Sequence, residues 1–442
     1  MFALPESLRV GVDFWIKIYA HYDSHQAVFY DTQTYTIYDV LDLPKISKEI
    51  SSPKYKDDVK KHYTKIADAL EMLTSKSRSN TLDPLQKKLD VIIKKNKLEN
   101  IADLSARLRN QNGLKSQFEL GLKMSGRYID EVEALLKSQG LPTDLVALVF
   151  VESLWNINAV SHAGASGPWG IVKETARLSG IHVNRFTDER LDPVIATMAA
   201  AQYLKKAKEG LGEWPLAITS YNYGYPGMLR AVAGLNTKKI DVIIDQHDSP
   251  IFGYASKNYY QEFKAALYIY QNREKYFPNL TKEQPWNYEL VQVLRPVSIK
   301  ALLSSKAVSK DDLREYNPGL TKYTLEGDEV IPGNYTLRIP KGKSKLFYER
   351  LKTIPAKKRE RAKWKISTKY HAKGHESLEI ISKKIGVIPD YIAEKLGESP
   401  KYKPKGVINI RSHSYAFTQL KNIADNIIAT LRPTKIADRI KP

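Results

Sequence analysis

Cysteine is absent from all 442 residues, which excludes disulfides, zinc–thiolate centres and thiol nucleophiles outright. Long hydrophobic runs are missing as well. The longest uninterrupted apolar stretch, Leu145–Val151, is far too short to cross a bilayer. The opening residues "MFALPESLRV" lack the basic segment and apolar stretch of a secretory signal, so the chain as given is expected to be soluble. Histidine is sparse and scattered, and His162 is expected to pack or hydrogen-bond rather than hold a metal. With no phosphate-cradling glycine loop either, neither a metal nor a cofactor is expected. Acidic residues are outnumbered, 49 against 69 Lys and Arg, and 69 − 49 gives +20. That excess attracts a polyanion such as nucleic acid, an anionic membrane face or an acidic wall polymer. No nucleic-acid-binding motif accompanies it, so nucleic acid is not an expected partner.

A hydrophobic content of 42% excludes wholesale disorder, and the length suits about two to four domains. Val10, Phe14, Trp15 and Ile18 recur at helical spacing, and "AVFYDTQTYTIYDV" (27–40) reads as two strands around a polar turn. Val59, Tyr63, Ile66, Leu70 and Leu73 form a helical stripe, and residues 85–108 form another. Helical patterning continues to Pro278, where "QNREKYFPN" (271–279) breaks it.

The last third repeats itself at a shift of 79 residues. Val293, Ile299, Leu302, Val308 and Leu313 then fall on Ala372, Leu378, Ile381, Val387 and Ile392 without a gap. Each copy reads as strand, two short helices, strand, ending in "YTLRIP" (335–340) and "GVINI" (406–410). Units this small suit binding a surface better than enclosing an active site. The run "AKKRERAKWK" (356–365) between them reads as a solvated linker, and residues 412–442 as a tail with one amphipathic stretch.

The informative stretch is "ALVFVESLWNINAVSHAGASGPWG" (147–170), in which Glu152 closes an apolar run and a loop rich in Asn, Ser and Gly follows. A carboxyl at a helix end beside a cleft is poorly solvated. Its proton is then held more tightly, as a general acid near neutral pH requires. The plainer reading is a helix-end Glu that points to water or accepts a bond from the loop. Four of the seven residues 164–170 are Gly or Pro, which suits a loop that brings backbone close to a ligand. "WPLAITSYNYGYPG" (214–227) repeats the theme, with Tyr221 and Asn222 before Gly224; aromatic rings with amides form surfaces that sugars bind, and the same residues also form turns.

"ESLWNINAVSHAGASGPWG", "TDERLDPVIATMAAAQYL" and "EWPLAITSYNYG" resemble, in order and spacing, the three motifs of the soluble lytic transglycosylases, which cleave bacterial peptidoglycan on a lysozyme-like, mainly α-helical domain. The likeness covers roughly residues 110–275. "HESLEIISKKIGV" (375–387) is similar to the pattern of LysM peptidoglycan-binding modules, and the copy at 286–341 is a more divergent likeness. The organisation this implies is an N-terminal helical support with a hairpin (1–109), a lysozyme-like domain (110–280), a divergent LysM-like βααβ module (286–341), a basic linker (342–363), a LysM-like module (364–411) and a tail (412–442).

The resemblance further implies that Glu152 is the sole catalytic acid/base. It would protonate the glycosidic oxygen between N-acetylmuramic acid and N-acetylglucosamine, then take the proton of the muramic C6 hydroxyl as that oxygen attacks the anomeric carbon. Ser153, Asn156, Ser161, Gly167, Trp169, Gly170, Tyr221, Asn222 and Tyr259 stand at substrate-binding positions, with Tyr260 as the neighbouring choice for Tyr259. Glycan strands are the implied partner, and the implied location is the periplasm or envelope of a bacterium. A hydrolase with two carboxylates needs a second acid, yet no Asp or Glu occurs from 153 to 173. Asp188 and Asp192 stay open as distant alternatives. A hydrolytic lysozyme of the goose type, which would leave reducing ends, and a non-catalytic wall-binding scaffold are the competing classes.

The sequence departs from the family pattern at Ile157, usually Pro, and at "GPWG", usually "GLWQ"; Tyr223 stands where a small residue is usual. Replacing the Gln by Gly170 removes a polar contact worth about 0.5–1.5 kcal/mol, which predicts a modified sugar subsite.

Overall fold

A computed structural model describes residues 1–43, 53–75, 81–98, 103–293, 296–327, 329–331, 335–354, 367–378 and 401–411, with positions 380, 381, 393, 396, 398 and 399. The described chain is mainly helical and divides into two compact units: Met1–Lys123 with Ala207–Thr281, and Met124–Lys206 with Lys282–Pro442.

In the first unit the hairpin reading of residues 27–40 meets strands Gln26–Asp31 and Ile37–Asp42. Asp31 shapes the turn: its Oδ1 accepts the backbone N–H groups of Gln33 (2.8 Å) and Thr34 (2.7 Å), and Arg107 pairs with the same buried carboxylate. A third strand, Leu108–Asn112, pairs antiparallel along the other edge of Gln26–Asp31. The helical stripe seen over 85–108 therefore stops early. The helix runs Pro84–Lys95, opened by an Asp83–Gln86 capping box, and Lys97 turns left-handed at φ 56°. Pairing with an existing strand overrides the helical pattern of the last residues.

Period-two alternation sorts the central strand. Ala27 and Phe29 join Ile66, Leu70, Leu89 and Ile93 of the helices Pro53–Thr74 and Pro84–Lys95 in one core. Tyr30, on the opposite side, meets Phe14 of the helix Arg9–Ala20 at 4.2 Å between ring centroids. That helix packs along Tyr254–Gln271, where the Trp15 indole N–H donates to Asn258 at 3.0 Å. The N-terminal support thus shares its core with helices more than 200 residues away in sequence.

In the second unit, strands Tyr288–Val293 and Tyr335–Pro340 pair antiparallel, with helices Ile299–Ser304, Lys310–Tyr316 and Lys322–Glu326 between them. All five repeat positions of the first copy, Val293, Ile299, Leu302, Val308 and Leu313, are buried in one core. The segment read as a linker begins with a helix, Ser344–Thr353, whose Phe347 and Leu351 join that core. In the second copy, strands Ser367–Lys373 and Lys405–Arg411 pair, and Ala372, Leu378 and Ile381 are buried. Val387, Ile392, residues 355–366 and the tail 412–442 lie outside the described residues. Among the described residues no helix is long and apolar enough to cross a membrane.

Candidate active site

Glu152 sits in the last turn of the helix Ala147–Ser153, which follows a 3-10 turn, Thr143–Val146. Leu145 to Phe150 are fully buried, so the helix is rooted in the core and emerges only at its end, where Val151, Glu152 and Ser153 are half-buried. The helix stops without a glycine. Leu154 and Trp155 both take the left-handed region, at φ 52° and 60°, and send their N–H groups back to Phe150 O (3.1 Å) and Val149 O (3.5 Å). Each such residue costs about 1–2 kcal/mol of backbone energy. Burial of the Trp155 indole, stacked at 6.3 Å on Tyr128 and edge-on to Phe150 at 6.1 Å, offsets that cost.

The following loop is bonded throughout. Asn156 Oδ1 accepts the Asn158 N–H at 3.0 Å, and Ser161 Oγ accepts that of Ala165 at 3.1 Å. Val160, Ser166 and Ile171 form two antiparallel bridges that fold the loop onto itself. Ser153 Oγ donates to the Pro168 carbonyl at 2.8 Å, tying the helix end to the loop. Removing that donor leaves a buried carbonyl short of a partner. Ser153→Ala is therefore expected to lower the unfolding free energy by about 1–2 kcal/mol in urea titration, and an unchanged midpoint would contradict the tie.

Two glycines have work that no other residue can do. Gly167, at φ +79°, lies against the Arg190 backbone, and a Cβ there would overlap the Arg190 carbonyl. Gly170, at φ +58°, faces Glu152: a Cβ would collide with Oε2 and reach Cδ at 3.0 Å. Backbone is thereby laid directly beside the candidate acid. Trp169, expected at the substrate, is fully buried, and its indole N–H donates to Thr197 Oγ1 at 2.8 Å, so it props the loop from inside.

Arg190 was not anticipated. Only 3% exposed, it forks onto Asp188 (2.9 and 2.7 Å) and donates to the carbonyls of Gly164 (2.8 Å) and Ile171 (3.0 Å), gripping both ends of the loop's return. The spacing of Asp188 and Arg190 in "DERLDP" carried a signal of it. Asp192 is paired with buried Arg338 and accepts the N–H groups of Val194 (3.1 Å) and Ile195 (3.0 Å). Both acids left open as alternatives are thus bound to arginines.

In the first unit, Tyr221 and Asn222 end the helix Trp214–Tyr223, closed by Gly224 at φ 90°. Tyr221 is half-buried, and Asn222 is exposed with its Oδ1 accepting from Ser256 at 2.7 Å. Tyr223, the unusually large residue, places its hydroxyl 2.9 Å from His247 Nε2 and its ring edge-on to Phe252 at 4.7 Å. Gly227 makes room for it, since a Cβ there would come within 2.8 Å of the ring. Tyr259 is buried, 3% exposed, and Tyr260 donates to Ala3 O at 2.6 Å. Among the described residues no group of three or more His, Asp or Glu could hold a metal.

Residues 131–244 match the model of the transglycosylase SLT domain. The SLT segment contains Glu152, the 156–171 loop, Arg190, Tyr221 and Asn222, whereas Tyr259 lies beyond it. The chain is 27% identical over 200 residues to membrane-bound lytic murein transglycosylase D of Escherichia coli K12 and, equally, to that of strain O6:H1. That alignment covers 45% of this chain and 44% of each relative. A putative tributyltin chloride resistance protein of Alteromonas sp. M-1 is 28% identical over 112 residues, 25% of this chain and 54% of that protein. The chain thus spans about half or less of the relatives it matches.

Proposed function

We propose that this protein is a peptidoglycan lytic transglycosylase in which Glu152 is the one acid/base. The observation that carries the reading is the half-buried Glu152 carboxyl, held at the end of a buried helix with the Gly170 backbone against it, inside the segment that matches the SLT domain. Protonated Glu152 gives its proton to the glycosidic oxygen between N-acetylmuramic acid and N-acetylglucosamine as the C1–O bond breaks. The resulting carboxylate takes the proton of the muramic C6 hydroxyl while that oxygen bonds to C1, closing a 1,6-anhydro ring. The acid is restored and no water is consumed. The pairing of Asp188 with Arg190 and of Asp192 with Arg338 supports a single-carboxylate mechanism, since the oxygens of both carboxylates are already engaged by guanidinium groups.

Partly buried Tyr221 and exposed Asn222 are the proposed sugar contacts, with Asn156 and Ser161 shaping the loop. The units at 286–341 and 364–411 are proposed as LysM-like modules that bind glycan strands, the second being the clearer likeness. The proposed location is the bacterial envelope, where the basic surface meets anionic wall or membrane. Mass spectrometry of muropeptides released from purified sacculi tests the chemistry. Products one water lighter than their reducing-end counterparts are expected; reducing ends would make the protein a hydrolase, and no release a scaffold.

A further inference from the structure

A module that tethers an enzyme to its substrate normally hangs on a linker that few contacts cross. The 286–341 segment is built differently. Arg338, on the strand Tyr335–Pro340, is fully buried, and its guanidinium grips both oxygens of Asp192 and donates to Tyr316 O at 3.2 Å. The Trp286 and Tyr288 rings flank it at 5.3 and 5.4 Å. Burial works against the Arg338 charge, and the Asp192 carboxylate outweighs it, so the guanidinium stays protonated beyond its ordinary range. Tyr288 donates to Glu131 at 2.7 Å on the same side.

A second seam runs through the backbone. Thr187 bridges Leu320, the Asp188 N–H donates to Gly319 O (2.8 Å), and the Thr321 N–H donates to Phe186 O (3.1 Å). Thr324 Oγ1 reaches Phe186 O at 2.6 Å, and Arg185 lies 3.6 Å over the Tyr323 ring. Residues 185–192 are therefore held from the module's side by Thr187, Asp188 N–H and Asp192. The same short arc holds the candidate site's loop from the other side, through the Asp188–Arg190 pair and the carbonyls of Gly164 and Ile171. Gly170, beside Glu152, sits inside that grip.

We propose that the 286–341 module is a fixed brace of the active site and that Arg338 is its positioning residue, acting through Asp192 and Arg190 on the loop that backs Glu152. The inference rests on the reading of Glu152 as acid/base, and its test has an arm independent of activity. In the full-length chain, Arg338→Met is expected to lower kcat on soluble glycan strands about tenfold or more with KM within about twofold, because a small misplacement of the reacting group acts on chemistry rather than binding. Arg338→Lys should restore most of kcat. Amide hydrogen exchange over residues 159–171 should speed up in Arg338→Met and return towards wild type in Arg338→Lys. If Arg338→Met does not fold, the double variant Thr321→Val, Thr324→Val loosens the backbone seam and is held to the same two readouts. A folded variant with unchanged kcat and unchanged exchange in 159–171 overturns the brace. Should the wild-type chain release no glycan product, the functional reading fails, while the exchange arm still decides whether the module holds the loop.

Discussion

Glu152→Gln is expected to abolish sacculus clearing, with a loss of about 10²–10⁴ in rate, while pull-down by insoluble peptidoglycan survives. The substitution keeps the shape of the side chain and the fit of Gly170 against it, so stability should stay within about 1 kcal/mol. In the proposed mechanism it removes the proton that the glycosidic oxygen needs and the base that the C6 hydroxyl needs. An amide donates hydrogen bonds but releases no proton at neutral pH. Clearing that persists in this variant would refute the role given to Glu152. The two acids weighed as alternatives, Asp188 and Asp192, are each committed to an arginine, so such a result would also demand a different catalytic arrangement.

The second large effect is expected at Gly170. The motif that this loop resembles carries Gln there, and adding a polar contact with Gly170→Gln should by itself gain about 0.5–1.5 kcal/mol. The backbone argues the opposite outcome. At φ +58° any side chain costs about 1–2 kcal/mol, and its Cβ would overlap the Glu152 carboxyl and push it aside. A displacement on the order of 1 Å at the reacting group costs about 10²-fold in rate, or roughly 2.7 kcal/mol, which exceeds the possible gain. Both Gly170→Gln and Gly170→Ala should therefore be less stable and about 10²-fold slower than the wild type when assayed on the same sacculi. Activity that rises in Gly170→Gln would mean that the loop carries its glycine for substrate selection rather than for the fit against Glu152.

Much of this site is legible in residue order because burial leaves a local periodic trace. An apolar run that ends in one acid announces a helix rooted in a core, and Leu145 to Phe150 are buried as that run requires. The five spaced positions of the first repeat share one core for the same reason. Other features leave no such trace. Two left-handed residues follow Ser153 with no glycine between them, since the driving force is the packing of the Trp155 indole on Tyr128. Tyr259 and Trp169, expected to meet a sugar, are buried, because a motif fixes a residue's position along an element and not the face that later packing covers.

Residue types and local spacing were enough to rule out thiol chemistry, to show an apolar run closed by Glu152, and to reveal the 79-residue repeat. The joining of Asp192 to Arg338 across 146 residues, the closing of Arg190 over the loop, and the clash that keeps position 170 bare emerged from packing. Charge and periodicity are properties of neighbours along the chain, whereas the partner of a buried charge is chosen by which surfaces fold together.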